Sequence, residues 1–517
     1  MQNKGEKLMK SAVFMVIATV MAKALGLLRD MLIAASYGTT VEAIAYDAAS
    51  RLPILLFDLV IGGVVTAAFI PIFNELLVKE NREKAFEFAD HYITLILVIC
   101  LVIALIGVAL AAPLVEFLIP EADAQAKSLA VTLTRIMFPM IIFTGLAFAY
   151  VGVLLSLGEF RIPAIISLVS NGVMVIYLFA LDTRFGIIGL SLSMLIGWML
   201  QAFVQLPKLG SLGYRYRMRL SLRSPYIKQA AGGALPILLG TWTAPVCSLI
   251  NTRFASGIEA GRAVTALGYA NRFYTILIGV FSYVATNLLF PYISKASASG
   301  ESKEANRLML SSVRILSLII LPMSAGLIVL AEPLVSIIYE RGEFNSHDVI
   351  MTATALRAYT VGMIFAAANE VLTKAFFARK DFKKPMYASF IAMAVNFILV
   401  FPLAKALGLG GIALASGLAL IAGCAFNYIA LLKNEGTLFT LSDMRELAKM
   451  LLSALIMAVA VYFAASVLDN TLLKLTVGVA VGVCVYFTLC FVLRLEELTS
   501  LAGLLKSKRS LQNGEDK

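Results

Sequence analysis

The chain has 517 residues, of which 60% are hydrophobic and only 15% are charged, and its mean hydropathy is +0.88. A soluble globular protein is nearer half apolar and a quarter charged, so the composition excludes that class. Long runs almost free of charge, such as 92–112, 136–157 and 451–467, predict helices that cross about 30 Å of hydrocarbon. The sequence therefore predicts an all-α polytopic membrane protein.

In chain order, the apolar runs predict about fourteen transmembrane helices. They are expected near 11–36, 43–78, 85–112, 125–157, 162–181, 186–207, 226–255, 263–295, 304–330, 347–378, 385–404, 410–432, 444–467 and 472–493. Several exceed the ~20 residues that a crossing needs, so we expect them to tilt, bend or extend past the membrane. Proline inside a span leaves a carbonyl unpaired and bends the helix, as expected at Pro53, Pro139, Pro236, Pro245 and Pro322.

The first helix begins like a secretory signal, with three lysines before an apolar run. Lys23 interrupts that run and no small-residue cleavage site follows, so we interpret it as a retained first helix. The five cysteines lie inside apolar runs, which favours buried thiols over disulfides or a zinc site. His91 and His347 are far apart and have no partner at metal-ligand spacing, so no metal site is predicted.

Positive charge predicts the orientation. With the N-terminus inside, 28 of the 43 lysines and arginines fall in inner loops and tails, 6 fall outside and 9 lie within spans. This bias follows the positive-inside rule and predicts a multi-pass membrane protein with both termini cytoplasmic. It also explains the net charge of +11 without nucleic acid. The basic segment 214–228 allows an RNA-binding interpretation, but an inner anchor on anionic membrane lipid is favoured.

The sequence repeats itself at an offset of 220–222 residues. Ala49-Ser50-Arg51 returns as Ala270-Asn271-Arg272, and the same offset relates further pairs. These pairs are Pro71 and Pro291, Pro113 and Pro333, Arg135 and Arg357, and residues 159–163 and 381–385. The repeat predicts two six-helix lobes of the same orientation, related by an axis along the membrane normal, with the substrate between them.

Two helices follow the repeat and have no counterpart in it. The predicted organisation is an N-lobe at 1–208, a basic cytoplasmic linker at 209–225, a C-lobe at 226–435, helices 13 and 14 at 436–495, and a cytoplasmic tail at 496–517. Packed beside one lobe, helices 13 and 14 could form an apolar groove open to lipid. Simple padding or a dimer contact is the alternative.

Five charged residues lie in or beside apolar runs near the start of the chain. They are Lys23, Arg29, Asp30, Asp47 and Arg51. A charge at the centre of a membrane helix costs roughly 2.5–3.5 kcal/mol on the insertion scale, so these side chains cannot face lipid. They either pair inside the helix bundle or line a polar cavity. We favour the cavity, because cations and anions do not balance once the second half is counted.

The second half adds cations to this predicted cavity. Arg51 and Arg272 become counterparts on the second helix of each lobe, and helix 7 contributes Arg253. The predicted substrate-binding residues are Lys23, Arg29, Arg51, Arg253 and Arg272, and the predicted cavity or gating acids are Asp30 and Asp47. Surplus positive charge in an apolar-walled cavity attracts an anion, and arginine suits phosphate oxygens, so the expected substrate carries phosphate or pyrophosphate.

Several segments resemble one known family. The segments are KALGLLRD, GGVVTAAFIPIF, INTRFAS, GYANRF, ASASGESKEANRLM, YERGEFNSHD, LRAYTVGM and FFARKDFKKP. They resemble the MurJ (MviN) lipid II flippases of the multidrug/oligosaccharidyl-lipid/polysaccharide exporter superfamily. The resemblance covers nearly the whole chain. It implies fourteen helices, a central cationic cavity, alternating access and a groove of the last two helices for the polyprenyl tail.

The resemblance also implies roles for individual residues. The family's helix 1 basic residues fall on Lys23, where arginine is usual, and on Arg29. Its acids fall on Asp30 and Asp47, and its helix 8 arginine falls on Arg272.

Two positions depart from the family pattern. Phe57 stands where a further helix 2 arginine is expected, and Thr275 stands where an acid is expected one turn after Arg272. Arg51 and Arg253 could supply the missing charge. Because of these departures, the sequence also allows the interpretation that the protein is a paralogue that carries another polyprenyl-linked saccharide.

The predicted function is transport without covalent chemistry, so the protein is not expected to be an enzyme. The resemblance implies that it moves undecaprenyl-pyrophosphate-linked peptidoglycan precursor, lipid II, from the inner to the outer leaflet. It implies no cofactor, with membrane potential or a coupling ion as the driving force, and cell-wall synthesis machinery as a candidate partner. The alternatives are a flippase for another polyprenyl-linked oligosaccharide and a cation-coupled drug or metabolite exporter of the same superfamily. A membrane glycosyltransferase is disfavoured, because the longest loops lack a paired-acid motif.

Overall fold

The structure is a computed structural model that describes residues 2–62, 68–221, 223–284, 302–379, 381–435 and 440–497. All regular secondary structure in these ranges is helical. The helices are α1 (Gln2–Tyr37), α2 (Val41–Val60), α3 (Phe69–Lys79), α4 (Arg82–Ala109), α5 (Ala111–Leu118), α6 (Ala124–Met137), α7 (Met140–Ser156), α8 (Arg161–Ala180), α9 (Asp182–Phe203), α10 (Leu206–Ser211), α11 (Pro225–Thr241), α12 (Thr243–Ala255), α13 (Arg262–Val284), α14 (Ser302–Tyr339), α15 (Ser346–Thr360), α16 (Met363–Ala378), α17 (Lys383–Glu435), α18 (Leu441–Ser466) and α19 (Thr471–Val492). The repeat segment around Pro291, Lys380 and the tail beyond residue 497 lie outside the described residues.

The predicted all-α membrane class is confirmed. Within the described ranges, seven helices are long and apolar enough to cross a membrane, and up to nine spans result if two bent helix pairs each count as one. The helix α17 contains 53 residues and covers two of the predicted spans, 385–404 and 410–432. Large apolar side chains on the outer faces of α18 and α19, such as Leu455, Val459 and Val483, are exposed, as expected for surfaces that contact lipid.

Two predicted single helices are bent pairs. The prediction 125–157 corresponds to α6 and α7, which meet at 42°. The break contains Pro139, whose missing N–H and bulky ring interrupt the helical ladder, as expected. The prediction 347–378 corresponds to α15 and α16, which meet at 44°. No proline lies at this second break, which the sequence analysis therefore missed.

The backbone repeats at the same offset as the sequence. Gly186 in α9 has φ 54° and ψ −149°, and Gly408 in α17, 222 residues later, has φ 57° and ψ −135°. Only glycine adopts such angles readily, so both helices break at the same place. The two helix-start motifs also match. Glu159 accepts a hydrogen bond from the Arg161 N–H at 2.8 Å, and Asp381 accepts one from the Lys383 N–H at 3.1 Å.

The chain forms two compact units, one comprising Met1–Gly268 and Arg341–Asp348 and the other comprising Tyr269–Glu340 and Val349–Lys517. In the first unit α1 packs on α8, α2 packs on α6, and α7 packs on both α4 and α9. The helices α11 and α12 also belong to this unit and contact α2. The lobe boundaries near 208 and 226 remain a prediction from the repeat.

In the second unit, the last two helices pack on α14. Their shared core includes Leu330 of α14, Met457 and Val461 of α18, and Tyr486 of α19. Close approach depends on Gly478 of α19, where an added Cβ would lie 2.9 Å from Leu330 Cδ2. Small residues at such contacts let membrane helices pack tightly.

A charged cluster reinforces the contact between α14 and α18. Arg314 of α14 donates a hydrogen bond to Asp443 of α18 at 2.8 Å and one to Glu496, beyond α19, at 3.3 Å. Its Nε lies 2.5 Å from a carboxylate oxygen of the buried Glu497. Arg314 thus lies close to three carboxylates.

We expect Gly478→Leu to destabilise the second unit. The larger side chain would overlap Leu330, and overpacking of this kind typically costs about 1–3 kcal/mol. The measurement is the thermal unfolding midpoint of the purified protein in detergent. Val479→Leu is the matched control, because Val479 is exposed on the same helix. Equal midpoints for Gly478→Leu and wild type would contradict the close packing.

Candidate functional site

The most buried ion pair among the predicted site residues lies on α2. Arg51 Nε is 2.6 Å from Asp47 Oδ2, one helical turn earlier, and Asp47 is only 4% exposed. Arg51 Nη1 also lies 3.4 Å from the hydroxyl oxygens of Ser248 and Thr252 on α12. The carboxylate compensates the guanidinium charge, and the hydroxyls hold its other end in place.

Gly268 of α13 lies directly beside this ion pair, and its lack of a side chain leaves space for the Arg51 guanidinium. A Cβ at Gly268 would lie 2.7 Å from Arg51 Nη2 and 3.1 Å from Asp47 Oδ1. The repeat offset of 221 makes Gly268 the counterpart of Asp47. The second half therefore carries a glycine where the first half carries the acid, and that glycine packs directly against the pair.

A second charged group lies between α1 and α8. Arg29 donates to Asp30 from Nη2 at 2.8 Å and from Nε at 3.0 Å. It also donates from Nη1 to Asn171 Oδ1 of α8 at 2.8 Å. An added Cβ at Gly26 would lie 3.5 Å from the Asn171 amide nitrogen. Gly26 thus lets α8 approach α1 and bring its amide to Arg29.

The remaining predicted cations have other recorded surroundings. Lys23 is half-buried on α1 and forms no ion pair with another residue in the described ranges. Arg253 is exposed. It donates to the Phe117 carbonyl, and its guanidinium carbon lies 5.0 Å from the centre of the Phe117 ring. Arg272 belongs to the second unit, where its guanidinium carbon lies 5.8 Å from the Tyr269 ring centre. Their roles as substrate ligands remain predictions.

The two departures from the family pattern occupy ordinary structural positions. Phe57 is buried and stacks on Phe148 with ring centres 5.8 Å apart. Thr275 donates its hydroxyl to the Asn271 carbonyl in its own helix at 2.7 Å. Phe57 therefore contributes to packing between α2 and α7.

A third polar cluster joins distant loops of the first unit. Asp348, which is fully buried, accepts from the Thr39 hydroxyl at 2.6 Å and from Arg262 Nη2 at 2.9 Å. Gly342, at φ 59°, brings the same segment so close that an added Cβ would lie 2.1 Å from the Ala35 carbonyl oxygen. The start of α15 is thereby tied to the turn between α1 and α2.

A cavity of about 250 Å³ opens beside this cluster. Its lining includes the acids Asp123, Glu259 and Glu343 together with Arg262. No group of three or more histidines, cysteines or acids in the described part of the chain is arranged to hold a metal ion.

The sequence analysis missed the neutral partners of the charges. Asn171, Ser248, Thr252 and Gly268 all contact a predicted site residue. A weak signal was available, because Asn171 is an amide inside a long apolar run, and such a residue needs a polar partner. Nothing in the sequence indicates which arginine it contacts.

Comparison with known proteins identifies the family. The profile of the family described as lipid II flippase MurJ matches residues 33–481. The chain belongs to the lipid II flippase MurJ family. It is 28% identical over 508 residues to the probable lipid II flippase MurJ of Bdellovibrio bacteriovorus, which covers 96% of this chain and 97% of the relative. It is 29% identical to the lipid II flippase MurJ of Burkholderia cenocepacia, covering 77% and 79% of the two chains.

Solved structures agree with this membership. The structure of a lipid II flippase MurJ in an inward closed conformation matches with a TM-score of 0.80 and 25% identity, over 93% of this chain and 98% of the other. An inward-facing multidrug resistance MATE family transporter of the MOP superfamily matches with a TM-score of 0.63 and 14% identity, over 82% and 100%. The second likeness concerns the fold alone. The predicted family is confirmed, and the protein is a multi-pass membrane protein of a bacterial transporter family rather than an enzyme.

We expect Gly268→Val to impair transport by displacing Arg51 from Asp47. Misplacing a charge-assisted contact costs about 1.5–3 kcal/mol, which corresponds to roughly tenfold or more in a rate or affinity. The measurement is growth of cells depleted of their own MurJ, with protein amounts checked by immunoblot. Gly232→Val is the control, because nothing lies within 4 Å of a Cβ there. Wild-type growth with Gly268→Val would contradict a functional role for the pair's geometry.

We expect Asp348→Ala to destabilise the first unit by about 1–3 kcal/mol, because it removes the acceptor of the Thr39 hydroxyl and of Arg262. The measurement is the thermal unfolding midpoint in detergent. His347→Ala is the control, since the exposed His347–Glu259 pair, 2.8 Å apart, should contribute less than about 1 kcal/mol. A larger shift for His347→Ala would show that the buried carboxylate does not anchor the cluster.

Proposed function

We propose that this chain translocates lipid II from the inner to the outer leaflet of the bacterial cytoplasmic membrane by alternating access. Membership of the lipid II flippase MurJ family carries this proposal. The half-buried Arg29 and Arg51 on α1 and α2 support an anionic substrate, because an arginine inside a membrane protein usually serves a substrate path. Both termini would be cytoplasmic, as the distribution of lysine and arginine indicates.

The pyrophosphate would bind Arg29, Arg51 and Arg272, with Lys23 and Arg253 assisting. The ion pairs at Arg29 and Arg51 support an exchange of partners. Without substrate, Asp30 and Asp47 compensate the two guanidinium groups. An arriving pyrophosphate would replace these carboxylates with its own charge-assisted hydrogen bonds. Its departure would let the acids pair again, so that the carrier resets without leaving a buried cation uncompensated.

Helices α18 and α19 would carry the polyprenyl tail. Their packing on α14 and their exposed apolar faces support a surface along which a long hydrocarbon chain could lie while the headgroup crosses. Membrane potential or a coupling ion would drive the cycle, and the cell-wall synthesis machinery would receive the product.

The proposal is tested by the double variant Arg29→Ala, Arg272→Ala. We expect it to lose the ability to support growth of cells depleted of MurJ, because two of the three principal pyrophosphate ligands are gone. The control is Arg161→Ala, Arg184→Ala, which removes two exposed arginines that are not predicted to bind substrate. Full rescue by the Arg29, Arg272 variant at normal protein level would overturn the assignment.

A transport assay separates the remaining alternatives. Labelled lipid II and another undecaprenyl-linked saccharide are supplied to the reconstituted protein, and the fraction that reaches the opposite leaflet is measured. Preference for lipid II is expected. Transport of the other saccharide alone would assign a different flippase, and sodium- or proton-dependent export of a drug would assign the exporter alternative.

A further inference from the structure

The basic segment between α10 and α11 is an ordered arm along α4. We call residues 214–221 with Arg223 the arginine arm. The Tyr214 hydroxyl donates to Asp90 Oδ1 at 2.9 Å, and the Arg217 backbone N–H donates to the same oxygen at 3.1 Å. The Arg219 N–H donates to the Thr94 hydroxyl oxygen at 3.2 Å. Asp90 and Thr94 are buried, so the hydrogen bonds that fix the arm to α4 are shielded from water.

Further contacts fix the two ends of the arm. At the start, Arg82 donates to the Leu212 carbonyl, and burial together with nearby Asp90 raises the pKa of Tyr214, which keeps its hydroxyl a neutral donor. Towards the end, the Tyr216 hydroxyl lies 2.9 Å from the Thr94 hydroxyl, and His91 Nδ1 lies 3.2 Å from the Arg219 carbonyl. The arm is therefore held through its tyrosines and its backbone.

The arginine side chains are left for another partner. Arg215, Arg217, Arg219 and Arg223 are all exposed, and none forms an ion pair with a carboxylate in the described ranges. The buried Asp90 attracts Arg217 and Arg219 at longer range, but one acid does not balance four cations. The arm thus presents a row of positive charge with fixed spacing, and its ligand is expected to be anionic.

The arm also exposes apolar side chains among its arginines. Met218 is 78% exposed and Leu220 is 50% exposed. A soluble anionic ligand gains little from such side chains, whereas a bilayer interface accommodates apolar and basic groups together. This combination favours lipid over nucleic acid or an acidic protein.

The position of the arm on α4 supports the same partner. The arm follows α4 from Arg82 to Thr94, a distance of about 18 Å at 1.5 Å per residue. The charged residues of α4 all lie before Tyr92, and from Tyr92 onwards the helix is uncharged and mostly apolar. Arg219 therefore lies level with the start of the apolar run, where phospholipid phosphates meet hydrocarbon.

We propose that the arginine arm binds the headgroups of anionic phospholipids in the leaflet that it faces. Arg215, Arg217, Arg219 and Arg223 contact lipid phosphates, and Met218 and Leu220 enter the acyl boundary. The arm is thus a lipid-recognition surface in addition to the substrate site of the proposed function, and it does not depend on which molecule is transported.

The test measures lipid preference directly. The full chain is reconstituted in phosphatidylcholine nanodiscs with spin-labelled phosphatidylglycerol or spin-labelled phosphatidylcholine, and the immobilised fraction of each is compared. For wild type we expect a preference for phosphatidylglycerol that weakens with added salt. Changing all four arginines to glutamine should reduce that preference by more than about fivefold at low ionic strength, since a single basic residue near an anionic surface already contributes about that factor.

Two matched variants decide the interpretation. The variant Lys383→Gln, Lys384→Gln, Lys433→Gln, Arg445→Gln removes four positive charges elsewhere and should keep the preference. The variant with lysine at the four arm positions keeps the positive charge and should also keep most of the phosphatidylglycerol preference. An equal loss in the control, or an unchanged preference without the four arginines, would overturn the proposal.

The arm's phosphate partner could also come from a polyprenyl lipid. Undecaprenyl pyrophosphate is therefore added as a competitor in the same nanodiscs. We expect it to leave the phosphatidylglycerol preference of the arm unchanged. Displacement at a few molecules per disc would assign the arm to the substrate headgroup instead and contradict the proposal. Full rescue by the Arg29, Arg272 variant would overturn the substrate assignment of the proposed function but would leave the phosphatidylglycerol result unaffected, so the two proposals fail separately.

Discussion

A guanidinium group inside a membrane helix requires a nearby anion, and the part of the fold around Arg51 is arranged to meet that requirement. Asp47 supplies the charge from the same helix at 2.6 Å, and α12 supplies hydroxyl groups at the other end of the side chain. Gly268 lets α13 lie directly against the pair, because an added Cβ there would lie 2.7 Å from Arg51 Nη2. Three helices from both sequence repeats are thus constrained by one ion pair. Removing either charge would leave the other buried without compensation, which is far more costly than never burying the pair.

The repeat is broken where this ion pair lies. Arg51 and Arg272 occupy equivalent positions, but the residue one turn earlier is Asp47 in the first half and Gly268 in the second. The first half therefore carries a compensated arginine, and the second half lacks a carboxylate at the equivalent place. A symmetric acid at position 268 would put two carboxylates beside Arg51 and remove the space that it occupies. The shared backbone plan thus places a carboxylate one turn before Arg51 and a glycine one turn before Arg272.

The sequence predicted features that depend on composition along the chain. Apolar length predicts spans, Pro139 predicts a bend, and the offset between Arg51 and Arg272 predicts a duplicated fold. Features that depend on direction around a helix could not be predicted. Arg253 is adjacent to Thr252, yet only Thr252 contacts Arg51, while Arg253 contacts Phe117. The bond between Thr39 and Asp348 joins residues 309 apart, and no local pattern specifies such a partner. The bend between α15 and α16 has no proline, but Gly362 lies at the break, where an added Cβ would lie 2.6 Å from the Cα of Gly417.

The contacts that each arginine makes, more than the residue type, determine what it can bind in this protein. Arg29 and Arg51 are held by carboxylates within helices, so an anion must compete with an existing partner to bind them, which favours selective and reversible contact with a strongly charged group such as pyrophosphate. In the arginine arm the backbone N–H groups of Arg217 and Arg219 make the structural contacts, and the side chains stay available. Phospholipid headgroups bound to the arm, as proposed, would leave Asp30 and Asp47 paired with Arg29 and Arg51. Lipid recognition and substrate binding would then use separate arginines, so that abundant phospholipids need not compete with the transported lipid for the same side chains.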